Sequence, residues 1–369
     1  MQTESSVEAS PQVSIRLPQT RPFARRSRAR RVLLLLALAL VLVMIASTMF
    51  GAVEISIPQL IAILGQKAGL VVGVDFTQQQ ANVLWAIRAP RIVLAVLFGA
   101  GLAVSGATIQ GLFRNPLADP ALIGVSSGAA FASVITIVAI SFLPAWWREL
   151  PLLPVAGFAG GLAATLLVYF FGRTSWHGSI ATMLLAGIAI SAFANAFIGL
   201  ITSVANDAQL RSITFWMLGS LGGANWHGVS IALPPILLAI LGMLFQSRAL
   251  NALLLGETEA GHLGYSVALT KRIVIALSAV LVGVAVAMSG IIGFVGLVVP
   301  HLLRILIGPD HRYLIPGSAF LGGGLLCFAD LLCRTVVAPA EVPVGVVTAI
   351  IGAPFFLWLI ARERKRVLL

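Results

Sequence analysis

Gly124-Val-Ser126-Ser-Gly128 fits GxSxG, the elbow that presents a nucleophilic serine. That elbow needs a strand-to-helix turn and a histidine within hydrogen-bond reach, whereas here the motif lies in an apolar stretch of small residues that reads as a helical span. Ser126 is therefore assigned to helix packing or the lining of a path, and no catalytic residue is predicted. The five histidines, His177, His227, His262, His301 and His311, show no HExxH or other ligand spacing. Cys327 and Cys333 turn ~240° from each other on a helix, which suits neither a disulfide nor a metal pair. No metal site is expected. The chain lacks any Gly-Lys dipeptide, so the phosphate-cradling GxxxxGK[ST] loop is absent. Most acids fall at span ends or in loops, not at the bilayer midplane where an ion-coupled carrier places its driving group. Asp330 is the nearest exception, and Arg334 one helical turn later pairs with it by spacing.

The elements that must position these residues are membrane spans. Of the 369 residues, 59% are hydrophobic and 10% charged, against about half and about a quarter in soluble domains. The net charge of +11 sits at the ends of apolar runs and in two tails, so it reports topology and does not point to nucleic acid. Residues 1–31 read as a disordered cytoplasmic tail whose polar opening gives way to RPFARRSRARR. The following apolar run, Val32 to Val53, is too long for a signal-peptide core and long enough to span about 30 Å of hydrocarbon. Glu54 to Pro90 is an extracytoplasmic excursion with room for a short amphipathic helix. Further apolar blocks at 92–112, 121–142, 151–172, 179–203, 228–246, 271–291, 292–307, 314–333 and 343–361 bring the count to ten spans in a permease domain of residues 32–361. Residues 362–369 form a basic cytoplasmic tail. With the N-terminus inside, 18 Lys and Arg residues lie in the cytoplasm and 6 outside, the bias expected for that orientation.

Arg91-Ile-Val-Leu-Ala leading to Ser105-Gly106 is echoed by Arg272-Ile-Val-Ile-Ala leading to Ser289-Gly290, with the two helices entering from opposite sides. That is the pattern of an inverted internal repeat, though so short a match also arises between unrelated apolar helices. The loop at about 247–270 carries Leu250, Leu253 and Leu254 at helical spacing, a break at Gly256, and Glu257 and Glu259 at the favoured end of a second short helix. By spacing alone it is either a docking knob or a solvated amphipathic loop.

LFRNPLADPALIGVSSGAA, IRAPR, LLLGETEAGHLGY, GIIGFVGLVVPHLLR with DHR, and EVPVGVVTAIIGAPFFLWL resemble, in that order, the permease subunit of type II ABC importers. This is the uptake family for iron chelates, heme and vitamin B12, and the likeness runs from about residue 32 to the C-terminus. It implies an all-α fold of ten transmembrane helices per subunit, multi-pass in the bacterial inner membrane with both termini cytoplasmic. Two identical permeases enclose a central path, joined by two cytoplasmic ATPase subunits, which hold ATP and Mg, and one periplasmic binding protein. The chain itself binds no cofactor, and no nucleic acid is a partner.

Residue by residue, the resemblance makes Gly256, Glu257, Glu259, Ala260, Leu263 and Gly264 the ATPase contact. It places Arg88, Arg91 and Arg334 at the outer positions that meet acidic residues of the binding protein. Asn115 and Leu117 match the cytoplasmic gate, with Ser179, Ile180 and Ala181 as its second half; Ile180 and Ala181 are apolar where the vitamin B12 permease is hydroxylic. Ser191, Phe193, Asn195 and Phe197 of the fifth span are expected to line the path. FWMLGSLGGANW (Phe215 to Trp226) and LLLGETEAGHLGY look most like heme permeases. Heme is the expected substrate, with ferric siderophores and cobalamin as alternatives; an ion-coupled secondary carrier is the reading from another class.

Overall fold

The computed structural model describes residues 22–70, 72–148, 150–172, 180–338 and 340–367. Its principal helices are α1 (Pro22–Met49), α2 (Ile57–Lys67), α3 (Gln78–Leu112), α4 (Val125–Ala139), α5 (Leu152–Gly172), α6 (Ile180–Val204) and α7 (Asp207–Leu218). There follow α8 (Trp226–Phe245), α9 (Ser247–Leu253), α10 (Glu257–His262), α11 (Val267–Ser289), α12 (Val295–Ile307), α13 (His311–Thr335) and α14 (Val344–Val367). No strand occurs among the described residues. Eight helices are long and apolar enough to cross a membrane, and the apolar parts of α12 and α14 are shorter. Each of the ten blocks read from hydropathy corresponds to one of these helices.

Two boundaries move. α1 begins at Pro22, so the tail expected to be disordered to residue 31 is helical for its last ten positions. Proline suits a first helical turn, and arginine and alanine are good helix formers, so the span's helix extends into the basic stretch. α3 begins at Gln78, under a capping box made by Thr77 and Gln80, which puts IRAPR inside a helix and not in a loop. Pro90 is accommodated by a wider turn over Val83–Arg88, where the Ala89 N–H bonds to the Leu84 carbonyl. The next donor in that pattern would be Pro90, which has no N–H. The carbonyl it leaves free, that of Trp85, accepts instead from Trp226 Nε1 at 2.7 Å.

α3 is the central helix, buried along nearly all of its apolar length. Its small residues let partners approach to backbone contact: Gly99 and Gly322 face each other so closely that a Cβ on either would strike the other's carbonyl. Gly128 of α4 and Gly160 of α5 form a second such pair. In lipid, where apolar burial does not favour helix over acyl chain, this close packing holds helices together. The sequence echo does not survive as equivalent helix ends, because Ser105-Gly106 lies inside α3 whereas Gly290 terminates α11 with φ 73°.

Candidate functional site

At the outer end of α3 the three arginines expected to face a docking partner are turned inward. Arg88 is 3% exposed and donates to the carbonyls of Thr48 and Met49 at the end of α1 and of Val53 in the segment after it. Arg91, 5% exposed, donates from Nε to Asp330 at 2.8 Å and from Nη1 to Glu341 at 2.9 Å. Arg334 donates to the other Asp330 oxygen at 3.1 Å and to Ser47 at 2.6 Å. The i,i+4 pair read from spacing is present, and a second guanidinium joins it. These bonds hold α1, α3, α13 and the loop before α14 together, so Arg88, Arg91 and Arg334, expected to meet a binding protein, make their polar contacts within this chain. Asp330 carries two guanidinium partners, Arg91 and Arg334.

The loop between α8 and α11 divides into two unlike halves. α9 is a buried wedge, with Leu250 fully enclosed and Ala249, Ala252 and Leu253 buried beside it. α10 projects from it. Gly256 takes φ 138°, a conformation closed to other residues, and the Glu259 side chain folds back over it into the space a Cβ would need. Glu257 accepts from Lys271 at 2.8 Å. Leu263 is 59% exposed and Gly264, at φ 85°, is exposed, whereas Gly256 and Ala260 are buried. Ala260 therefore supports the knob from inside. Leu255, exposed at 68%, was absent from the expected set and belongs with the exposed face.

The NPLADP turn between α3 and α4 is a chain of side-chain caps. Asn115 Oδ1 accepts from the Leu117 N–H at 2.9 Å, and Asp119 Oδ1 from the Ala121 N–H at 2.7 Å. Burial pushes the Asp119 carboxyl up from the usual carboxylate range, against the pull of that hydrogen bond. Arg114 enters the turn at φ 50°, strained for a residue with a side chain. Asn115 and Leu117 are exposed. Ser179 lies outside the described residues; Ile180 and Ala181 open α6, which packs against Pro120–Ile123 with Gly187 beneath the Leu122 carbonyl.

The four expected path residues occupy two faces of α6. Phe193 and Phe197 pack at a tilt of 45° with centroids 4.6 Å apart, and Phe197 also meets Phe131 of α4 edge-on at 5.9 Å. Ser191 bonds to Ser127 Oγ at 2.9 Å, between helices. Asn195 is exposed, one turn from Ser191. A helix advances about 100° per residue, so positions 191 and 195 share one face and 193 and 197 another. Phe193, Asn195 and Phe197 are exposed, Asn195 on the face opposite the two phenylalanines, and Ser191 is part-buried in its contact with α4. The GxSxG segment follows a 3-10 turn, Pro120–Ile123, and opens α4 without a preceding strand, so it is no nucleophile elbow.

The profile of the FecCD transport family matches residues 38–362. The chain is 51% identical over 286 residues to the hemin transport system permease protein HmuU of Yersinia pestis, covering 76% of this chain and 83% of that one. It is 42% identical over 308 residues to the cobalamin import system permease protein BtuC of Halobacterium salinarum, covering 83% and 80% respectively. A solved structure described as an inward-facing conformation of a transporter assigned to the metal-chelate ABC type aligns at a TM-score of 0.78 and 33% identity, covering 90% of this chain and 99% of that chain.

Proposed function

Because the chain belongs to the FecCD transport family and is an ABC importer permease subunit, a transport chain without chemistry of its own, we propose that its cargo is heme. The observation that carries this reading is the 51% identity to a hemin permease, against 42% to the cobalamin permease compared with it. A flat, largely apolar macrocycle also suits a path bordered by Phe193 and Phe197. Two copies of the chain would enclose that path in the inner membrane. The cytoplasmic excess of basic residues supports placing both termini inside. Two ATPase subunits, holding ATP and Mg, would seat against α10, and one periplasmic binding protein against the outer ends, whose loops the buried arginines keep in register. The exposed Glu259 and Leu263, with Glu257 beside them, are the contacts through which ATP binding moves the gate at Asn115, Leu117 and the start of α6.

The test is ATP-dependent uptake by proteoliposomes containing the permease, its ATPase and its binding protein, offered hemin, ferric siderophores and cobalamin in parallel. Accumulation of hemin alone is expected. A siderophore or cobalamin signal would replace the cargo and keep the machine. Reversing the charges of Glu257 and Glu259 together is expected to abolish uptake at an unchanged membrane level of the protein.

A further inference from the structure

Between the cytoplasmic knob and the gate, one side chain is bonded on both sides of its amide. Asn251, on the buried helix α9, receives the His311 backbone N–H on Oδ1 at 2.9 Å, and the same oxygen lies 2.9 Å from His311 Nδ1. Its Nδ2 donates to Asp310 at 2.7 Å. A backbone N–H needs an acceptor and a carboxylate needs a donor, so this orientation of the amide is chemically forced. Nδ1 must then carry the imidazole proton, and Nε2 is left bare. That nitrogen has no hydrogen-bond partner and His311 is wholly buried, its ring against Gly111 in the last turn of α3, where a Cβ would collide with it. The gate residue Asn115 follows four positions later. On the other side, α9 is joined to the knob by three residues, all of which bond back to it: Leu254 N–H to Leu250, Leu255 N–H to Ala252 and Gly256 N–H to Leu253.

We propose that Asn251 and His311 are the mechanical link between the ATPase-facing knob and the gate: displacement of α10 carries α9, the Asn251 amide carries the start of α13, and the His311 ring moves the last turn of α3. Protein interiors are close-packed and transmit displacement, and the Gly111 contact has no slack to absorb it. The bonds are mostly neutral, so the link can shift without stranding a pair of opposite charges. Both are positioning residues. The inference rests on the roles given above to the knob and the gate.

The test is the ratio of hemin taken up to ATP hydrolysed, in proteoliposomes of the complete transporter. Asn251→Ala is expected to lower that ratio about tenfold while ATP hydrolysis and assembly persist. His311→Ala is expected to do the same, and the double variant no worse than either single one, because both break one link. Asn251→Ser, which keeps one polar group, should fall between wild type and Asn251→Ala, and it decides the matter if the alanine variant does not accumulate. Uptake and hydrolysis falling in parallel, so that the ratio holds, would overturn the link, as would single effects that multiply in the double variant. If reversing Glu257 and Glu259 leaves uptake intact, the coupling role of the knob fails and the link with it; if that reversal abolishes uptake while Asn251→Ala keeps the ratio, the link alone fails.

Discussion

The two ends of α3 are held by opposite means. At the outer end, Arg91 and Arg334 share Asp330, and Arg88 reaches three carbonyls at and just after α1's end, all with their charges out of water. At the inner end, Arg304 of α12 meets the Gln110 amide and the Ala107 carbonyl, while His311 meets Asn251 and rests on Gly111. Removing one partner of a buried ion pair costs about 3–5 kcal/mol, whereas a hydrogen bond between one charged and one neutral group, as Arg304 makes, contributes about 1.5–3 kcal/mol and a neutral one about 0.5–1.5 kcal/mol net. The outer end is therefore a clamp and the inner end a joint whose bonds can exchange.

Breaking the clamp should have the largest effect. Asp330→Leu removes the buried carboxylate that two guanidinium groups share, leaving Arg91 only Glu341 and Arg334 only Ser47, and is expected to cost about 3–5 kcal/mol, read as a fall in thermal unfolding temperature in detergent. Removing Arg91, Asp330 and Arg334 together by leucine should cost less than Asp330→Leu alone; a triple variant that is less stable would mean that packing and not charge makes the clamp. Gly99→Val forces α3 away from the Gly322 backbone and is expected to cost about 1–3 kcal/mol by the same measurement. At the joint, Arg304→Met deprives Gln110 and Ala107 of a donor and should cost about 1–3 kcal/mol, less than the clamp variant, with transport lost more steeply than stability. Smallest is Lys271→Ala, whose partner Glu257 is 37% exposed; a change within about 1 kcal/mol is expected, since water already screens that pair. A large loss there would make the knob part of the fold and not a surface fitting.

Much of this was legible in the chain because it is written locally. The ten blocks of apolar residues each found a helix, the Asp330 and Arg334 spacing found their pair, and Gly256 marked the break between α9 and α10. Exposure was not legible. IRAPR looks like a loop because proline and two arginines interrupt an apolar run, yet a widened helical turn and the Trp226 donor absorb the proline, and the arginines find partners from elsewhere. α9 and α10 read alike as amphipathic pieces, yet one is a wedge in the core and the other a projection.

The sequence by itself determined that this is a ten-helix membrane protein, where its helices break, which side its charges favour and which family it resembles, because hydropathy, period and motif order are properties of short stretches. Tertiary structure alone decided that Arg91 joins Asp330 across 239 positions and that Asn251 holds His311 across 60. Which polar side chains meet depends on how small-residue helices pack against α3, and that packing has no signature in the spacing along the chain.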